Sequence, residues 1–520
     1  MPGRRGASVR ATTVRARQRP VEEDQPRRCT ISVLVIDVGS SAVRAAVVRP
    51  DGSVQARCQQ LVPPQRPGPG LVEVDGAAVA RAALEVASAS LEMAGPVAGV
   101  GVTNQRGTTI VWDARSGQPV GPCLSWQDLR TAGTCLELQG EGLRLAPNES
   151  ATKLAWLLDT YDPDRKGDLR FGTLDSWVVW QLSAGHAHVT DLSNAAVTGL
   201  LPTEGVLAGK ASLAWDPARL ERFRVPEACM PTIVASSGVV AEACALPGSP
   251  PISGLVGDQQ ASLFGQGCVN PGDAKATFGT GAFLDVNIGG QPPPFGVLGK
   301  RGPRGCFPII AWQRADRLQW GVEGIMLSAG TAVAWLVEDL GLLQGTAESA
   351  EVAGACPSTG DVFFVPALLG LGTPVWDFGA RSLLIGMTSG TSRPQVVRAV
   401  LEGVAHRGAD LLEAAEGDSG LQVSRLRVDG GMSANPVFVQ ALADACRRPV
   451  QVSSELEATT LGAGLLAGLA VGTWASEAEA ASVCRPRLVV EPNGPDQRAR
   501  WADARARAEK WIPELSALSF

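Results

Sequence analysis

The chain has 520 residues, of which 45% are hydrophobic and 19% charged, with a formal net charge of −6. That length predicts two or three domains, and the acidic balance argues against a nucleic-acid binder that works by neutralising phosphates. The eleven cysteines are scattered singly with no Cys-x-x-Cys, which points away from a zinc site or disulfide framework and toward a reducing, cytoplasmic compartment. Three histidines leave little for His-based metal chemistry, and His186 and His188 read as part of an exposed strand.

Residues 1–29 carry eight arginines and no acid before Glu22. They share the Arg-rich, acid-poor character of a mitochondrial transit peptide but lack a clear apolar face, so residues 1–30 are expected to be a disordered basic tail. The first folded stretch is the β-branched run Ile31 to Asp37, followed by a strand over Ala42 to Pro50, an Asp51-Gly52 hairpin turn and a third strand to Leu61. Asp75 is placed to cap an Ala-rich helix reaching about Met93, and Val97 to Thr103 reads as a short buried strand. The pattern returns later: two strands around Gly279-Thr-Gly281, two more over Pro308 to Glu323, a helix from Ser328, a helix from Pro394, a strand to Val428 and a helix starting at Asn435. Pro271-Gly272 interrupts the series, so the expected domains are 31–270 and 271–475, with 476–520 as an extension ending in a solvated Arg-rich helix over Asp496 to Lys510. The apolar stretch Leu461 to Ala475 falls short of the roughly 20 residues a membrane span needs and predicts a tightly packed buried helix.

Two familiar phosphate-binding devices are missing: neither Gly-x4-Gly-Lys-Ser/Thr nor a strand-following Gly-x-Gly-x-x-Gly occurs. What remains is a pair of glycine hairpins, Asp37-Val-Gly39-Ser40-Ser41 and Thr277-Phe-Gly279-Thr280-Gly281, together with Val428-Asp-Gly-Gly431. Glycine lets backbone amides approach an anion, hydroxyls supply further donors, and an acid ending the first strand suits Mg2+, which takes one or two carboxylates plus phosphates.

These motifs, with Val102-Thr-Asn-Gln-Arg106, Ser125-Trp-Gln-Asp-Leu-Arg-Thr131, Thr152-Lys-Leu-Ala-Trp156, Phe171-Gly-Thr-Leu-Asp-Ser-Trp177, Thr190-Asp-Leu-Ser-Asn194, Gly257-Asp-Gln-Gln-Ala261 and Thr459-Thr-Leu-Gly462, give the chain its resemblance. From about Ile31 to Trp474 it resembles the FGGY carbohydrate kinases, and most closely their glycerol kinase branch. The resemblance implies an α/β fold of two ribonuclease-H-like (actin-like ATPase) domains with mixed sheets, closing an interdomain cleft on ATP-Mg2+ and a small polyol. It implies Asp37 as the Mg2+ ligand and Ser40, Ser41, Thr280, Gly330, Gly431 and Asn435 along the nucleotide. It implies Asp258 as catalytic base, with Arg106, Trp126, Gln259 and Phe283 around the polyol. Members of that family often assemble as dimers or tetramers, which leaves a homo-oligomer open.

Three positions depart from the family's pattern. Gly107 stands where a glutamate is expected, Asn148 where a tyrosine is expected, and Ala334 where a glutamine faces the nucleotide. The first two remove substrate hydrogen-bonding groups, each worth about 1–3 kcal/mol when buried. The expectation is weaker glycerol binding, improved by a glutamate at 107, or a bulkier substrate. A kinase for another polyol or ketose, and a catalytically silent nucleotide-binding regulator, are the alternatives to glycerol phosphorylation.

Overall fold

A computed structural model describes residues 31–202, 214–295, 298–454 and 458–518; the basic tail of residues 1–30 lies outside them. Thirteen strands form one sheet, and their chain order reveals a repeat. In the first half, β1 (Val33–Val38), β2 (Ala42–Val48) and β3 (Val54–Leu61) make an antiparallel meander. Next, β4 (Gly99–Asn104) pairs parallel to β1. The strand β5 (Ser237–Glu242) pairs antiparallel with β6 (Pro251–Gly257), and β6 runs parallel to β4.

The second half repeats this plan. β7 (Ala274–Phe278) and β8 (Ala282–Gly289) form a hairpin, and β9 (Phe307–Arg314) and β10 (Arg317–Met326) form another, with β8 antiparallel to β10. β11 (Leu426–Asp429) runs parallel to β7, and β12 (Val450–Ser453) runs parallel to β11. The orders β3-β2-β1-β4-β6 and β10-β8-β7-β11-β12 are therefore the same arrangement used twice, and a bridge from Ser237 to Arg314 joins the halves through β5 and β9. This is the mixed-sheet, two-domain α/β architecture expected from the sequence. Its parallel strands read as near-continuous apolar runs because both faces are covered.

Helices supply the cover. α1 (Gly76–Ala94) is capped by Asp75, whose Oδ1 accepts from the Ala78 amide at 3.0 Å. The apolar stretch near 461 forms α2 (Ala458–Val471), which is buried along most of its length. It packs against a short helix, α3 (Asp258–Gly265), through glycines: a Cβ at Gly462 would stand 1.8 Å from the Ala261 carbonyl oxygen, and one at Gly265 would stand 2.0 Å from that of Ala458. Only hydrogen atoms on both sides permit that approach. Among the described residues, no helix is long and apolar enough to cross a membrane.

The extension departs from expectation. Pro486–Val490 adds β13 antiparallel to β12 at the sheet edge. The Arg-rich helix α4 (Arg498–Ala508) is docked rather than solvated, with Trp501, Ala504 and Ala508 buried. Its seat is Asp410, on the long helix α5 (Arg393–Ser419). That carboxylate takes Arg407 at 2.7 Å, Arg498 at 2.6 Å, Arg505 at 3.0 Å and the Trp501 indole N–H at 3.1 Å. Despite burial, the three guanidinium groups hold the Asp410 carboxyl down at about 2.

Candidate active site

Strand register gathers the first group of site residues. Asp37 lies opposite Thr103, Val38 opposite Asn104, and Asn104 opposite Gly257. The carboxyl ends of β1, β4 and β6 therefore deliver Asp37, Arg106 and Asp258 to one edge, where open α/β sheets carry their ligands. Asp37 is buried, 6% exposed, and takes a long hydrogen bond of 3.4 Å from Arg44 Nη1. Ser40 and Ser41 at the hairpin tip are exposed, while the Gly39 amide closes the turn on the Ala42 carbonyl at 3.0 Å.

The second hairpin is built with the same economy. Thr280 is exposed, and its carbonyl accepts from the amides of Ala329 (2.9 Å) and Thr331 (3.1 Å) and from the Thr331 hydroxyl (2.8 Å). Those contacts seat the start of α6 (Gly330–Glu338) against the hairpin; a Cβ at Gly330 would stand 2.6 Å from the Gly279 oxygen. Gly430 has φ +85°, and a Cβ there would meet the Phe278 carbonyl oxygen at 2.5 Å, whereas Gly431 is open on its Cβ side. Asn435 caps α7 (Pro436–Cys446): its Oδ1 accepts from the amides of Val437 and Phe438, and its Nδ2 donates to Ser349 Oγ at 3.1 Å. Asp429 is buried behind this turn, where Ser262 Oγ from α3 donates to it at 3.0 Å.

A charged cluster links the two halves, through Arg106 with Glu323 and Lys275 with Gln259. Asp258 opens α3, and its Oδ1 takes the Gln259 amide at 2.8 Å. Arg106 Nε stands 3.5 Å from that carboxylate, and Arg106 Nη2 donates to Glu323 at 2.6 Å. The guanidinium carbon lies 6.0 Å from the centre of the Phe283 ring. Arg106 Nη1 is buried and has no hydrogen-bond acceptor among the described residues; such a donor is costly to leave unmet and marks a place for a ligand oxygen. Burial holds the Asp258 carboxyl above the usual carboxylate range, against the pull of Arg106 and Lys275, while its side chain keeps 29% exposure for a substrate.

Glu323, Asp285 and Lys275 are site residues that sequence reasoning missed. They lie directly opposite one another on β10, β8 and β7, so one face of three neighbouring strands carries all of them. Lys275 Nζ, fully buried, holds Asp285 at 2.7 Å, Gln259 Oε1 at 2.7 Å and Thr277 Oγ1 at 3.1 Å. Gln259, expected at the polyol, is thus oriented from the second half of the molecule. Burial pushes the Glu323 carboxyl up to about 7 against Arg106, with Asp285 adding to the rise. The sign of these residues was legible: acids in otherwise apolar strands are rarely buried without a paired charge.

Trp126 and Asn148 border the same region. The Cβ position of Gly107 is 3.6 Å from Trp126 Cβ and 2.5 Å from the Asn148 carbonyl oxygen, and Gly107 has φ +74°. The expectation that glutamate at 107 would improve glycerol use meets an obstacle in this geometry. Any side chain there is forced into a conformation L residues disfavour and against a backbone oxygen. The third departure, Ala334, sits half-buried on α6.

Known proteins place this geometry. The FGGY family of carbohydrate kinases, N-terminal domain, matches residues 32–265, and its C-terminal domain matches residues 274–471. The glycerol kinase of Alkalilimnicola ehrlichii is 39% identical over 502 residues, covering 92% of this chain and 99% of that protein. That of Dechloromonas aromatica is 40% identical over 504 residues, with 92% and 98% covered. Among solved structures, Plasmodium falciparum glycerol kinase with ADP superposes with a TM-score of 0.83 at 26% identity, covering 94% of this chain and 99% of that one. A gluconate kinase from Lactobacillus acidophilus, at 19% identity and a TM-score of 0.79 over 94% and 98% of the two chains, shares the fold. Twice-repeated strand order, paired glycine hairpins and this likeness along nearly the whole chain lead to one assignment: the protein belongs to the FGGY family of carbohydrate kinases.

Proposed function

We propose that the protein transfers the γ-phosphate of ATP to glycerol, giving glycerol 3-phosphate. The observation that carries this reading is the buried Arg106 donor left without an acceptor beside the Asp258 carboxylate. A polyol needs such a pairing, with a donor for one hydroxyl and a base for the hydroxyl that attacks.

In this reading Asp258 accepts the proton of the attacking hydroxyl. Burial raises its pKa, which makes it a better proton acceptor than an ordinary aspartate. Arg106 and Gln259 orient the substrate oxygens, and Trp126 and Phe283 cover its carbons. Ser40, Ser41 and Thr280 lie on the two exposed hairpin tips and contact the phosphates. The open face at Gly431 and the start of α6 at Gly330 line the nucleotide, with Asn435 acting through the cap it provides. Asp37, whose carboxylate oxygens lie beside the first hairpin, would hold a hard cation such as Mg2+, which would supply charge neutralisation to the phosphoryl group being transferred. Residues 31–270 and 271–475 act as the two closing domains, and closure excludes the water that would compete for the γ-phosphate.

The test is incubation of the purified protein with Mg-ATP and a panel of polyols and ketoses, with products read by mass spectrometry. Glycerol 3-phosphate as the main product supports the reading. A different phosphorylated polyol transfers the same chemistry to another substrate, and no product with any member of the panel overturns it.

A further inference from the structure

We infer that Lys153 is a positioning residue of the polyol pocket, its buried ammonium tying the chain segments of Arg106, Trp126 and Asn148 into one wall. The inference deepens the proposed kinase reading and rests on it. Lys153 lies in the first turns of the helix Ser150–Tyr161 and is completely buried. Its Nζ donates to the carbonyls of Gly107 at 3.2 Å, Ser125 at 2.9 Å and Asn148 at 3.3 Å. An ammonium has three N–H donors, and all three are spent on backbone oxygens rather than on a carboxylate.

The identity of those oxygens carries the inference. Gly107 follows Arg106, Ser125 precedes Trp126, and Asn148 supplies its own carbonyl. Three segments distant in sequence meet at one nitrogen, and each bears a residue of the pocket. The glycine at 107 belongs to the same device. A side chain there would stand 2.5 Å from the Asn148 oxygen, so its absence lets the two carbonyls converge on Lys153. The Gly107 and Ser125 carbonyls also accept from Thr109 Oγ1 at 3.2 Å and the Asp128 amide at 3.0 Å, so loss of the ammonium would not strand them; it would remove the donor that holds three mutually repelling oxygens together, and the segments would part. Burial draws the Lys153 pKa down to about 7, as expected of a cation kept for its geometry at an electrostatic cost.

The experiment compares wild type with Lys153→Met, which keeps the unbranched apolar stem, one atom shorter, and removes the donors. Steady-state kinetics give the glycerol and ATP constants, and calorimetry gives ADP binding. The expected result is a glycerol KM raised about tenfold or more, the equivalent of one lost hydrogen bond, with ATP KM and ADP affinity within about threefold of wild type. An unchanged glycerol KM overturns the inference. So does a rise in both KM values with weakened ADP binding, which would make Lys153 a general support of the fold. If Lys153→Met is insoluble, Lys153→Gln, which retains two N–H donors, is measured in the same way; insolubility of both also overturns the assignment. A wild-type protein that phosphorylates no polyol sinks the kinase reading itself, which a mutant-specific result does not.

Discussion

Glu323→Gln isolates the contribution of the second half of the molecule to the substrate site. The side chain keeps its shape and one acceptor, but the 2.6 Å contact to Arg106 Nη2 loses its charge. Both groups are largely enclosed, with side-chain exposures of 11% and 7%, so solvent screens the loss only weakly. A hydrogen bond between charged groups contributes about 1.5–3 kcal/mol, which corresponds to a roughly 10- to 150-fold fall in kcat/KM for glycerol. The same change alters the base. With Glu323 neutral, Arg106 has Asp258 at 3.5 Å as its remaining carboxylate contact, and an unshared positive charge favours the ionised form of Asp258. Because burial pushes the Glu323 carboxyl up to about 7, the wild type carries that charge toward and above neutral pH, so the deficit of Glu323→Gln in kcat/KM is largest there and shrinks on the acid limb. The assay is a coupled measurement of ADP release across pH 4.5–9 (a range of about 4.5 units suited to a raised carboxyl), with ADP binding as the control for folding. A variant with wild-type kcat/KM at neutral and alkaline pH would refute the claim that a charged Glu323 governs Arg106 and, through it, the base.

Asp258→Asn should lower turnover by about 10²–10⁴-fold, the range for loss of a positioned base, with ADP affinity retained by calorimetry; surviving turnover would reassign the base. Because burial raises the Asp258 pKa, wild-type kcat/KM should begin to fall on acidification at a higher pH than an unperturbed aspartate would dictate. Gly107→Glu should weaken glycerol use and cost about 1–3 kcal/mol of stability from its strained backbone, and thermal melts with glycerol kinetics decide the point. Asp410→Asn should destabilise the fold by about 3–5 kcal/mol, since it strands the fully buried Arg407. The Asp410 pKa is depressed to about 2 from 3.8, so its stabilisation is present above pH 3.8 and is lost as pH falls toward 2. Acid unfolding of wild type and Asp410→Asn should therefore converge there, and a constant gap between them would be inconsistent with this linkage.

Much of the fold was legible because its signals are local. The Asp51-Gly52 hairpin, the Asp75 cap and the Asn435 cap each depend on residues within a few positions of one another. The apolar helix near 461 was legible from its many small residues. The docked helix Arg498–Ala508 was not, because arginines that face solvent and arginines that converge on Asp410 look alike in one dimension. Nor was the strand Pro486–Val490, whose hydrogen bonds depend on the edge left open by β12.

The site divides along the same line. The sequence alone offered the glycine hairpins that carry Asp37, Ser40, Ser41 and Thr280, whose turn residues are themselves the signal, and it pointed to Arg106 and Asp258 through the resemblance of their motifs to a known family. The tertiary structure decided which charges meet: Glu323 with Arg106, Lys275 with Gln259, and Lys153 with three carbonyls from separate segments. It also placed Gly107 against the Asn148 carbonyl, a close approach that the missing acid alone did not suggest. Motifs record what a backbone does over a few residues. Which buried charges are paired is fixed only when distant strands come into register and water is excluded from between them.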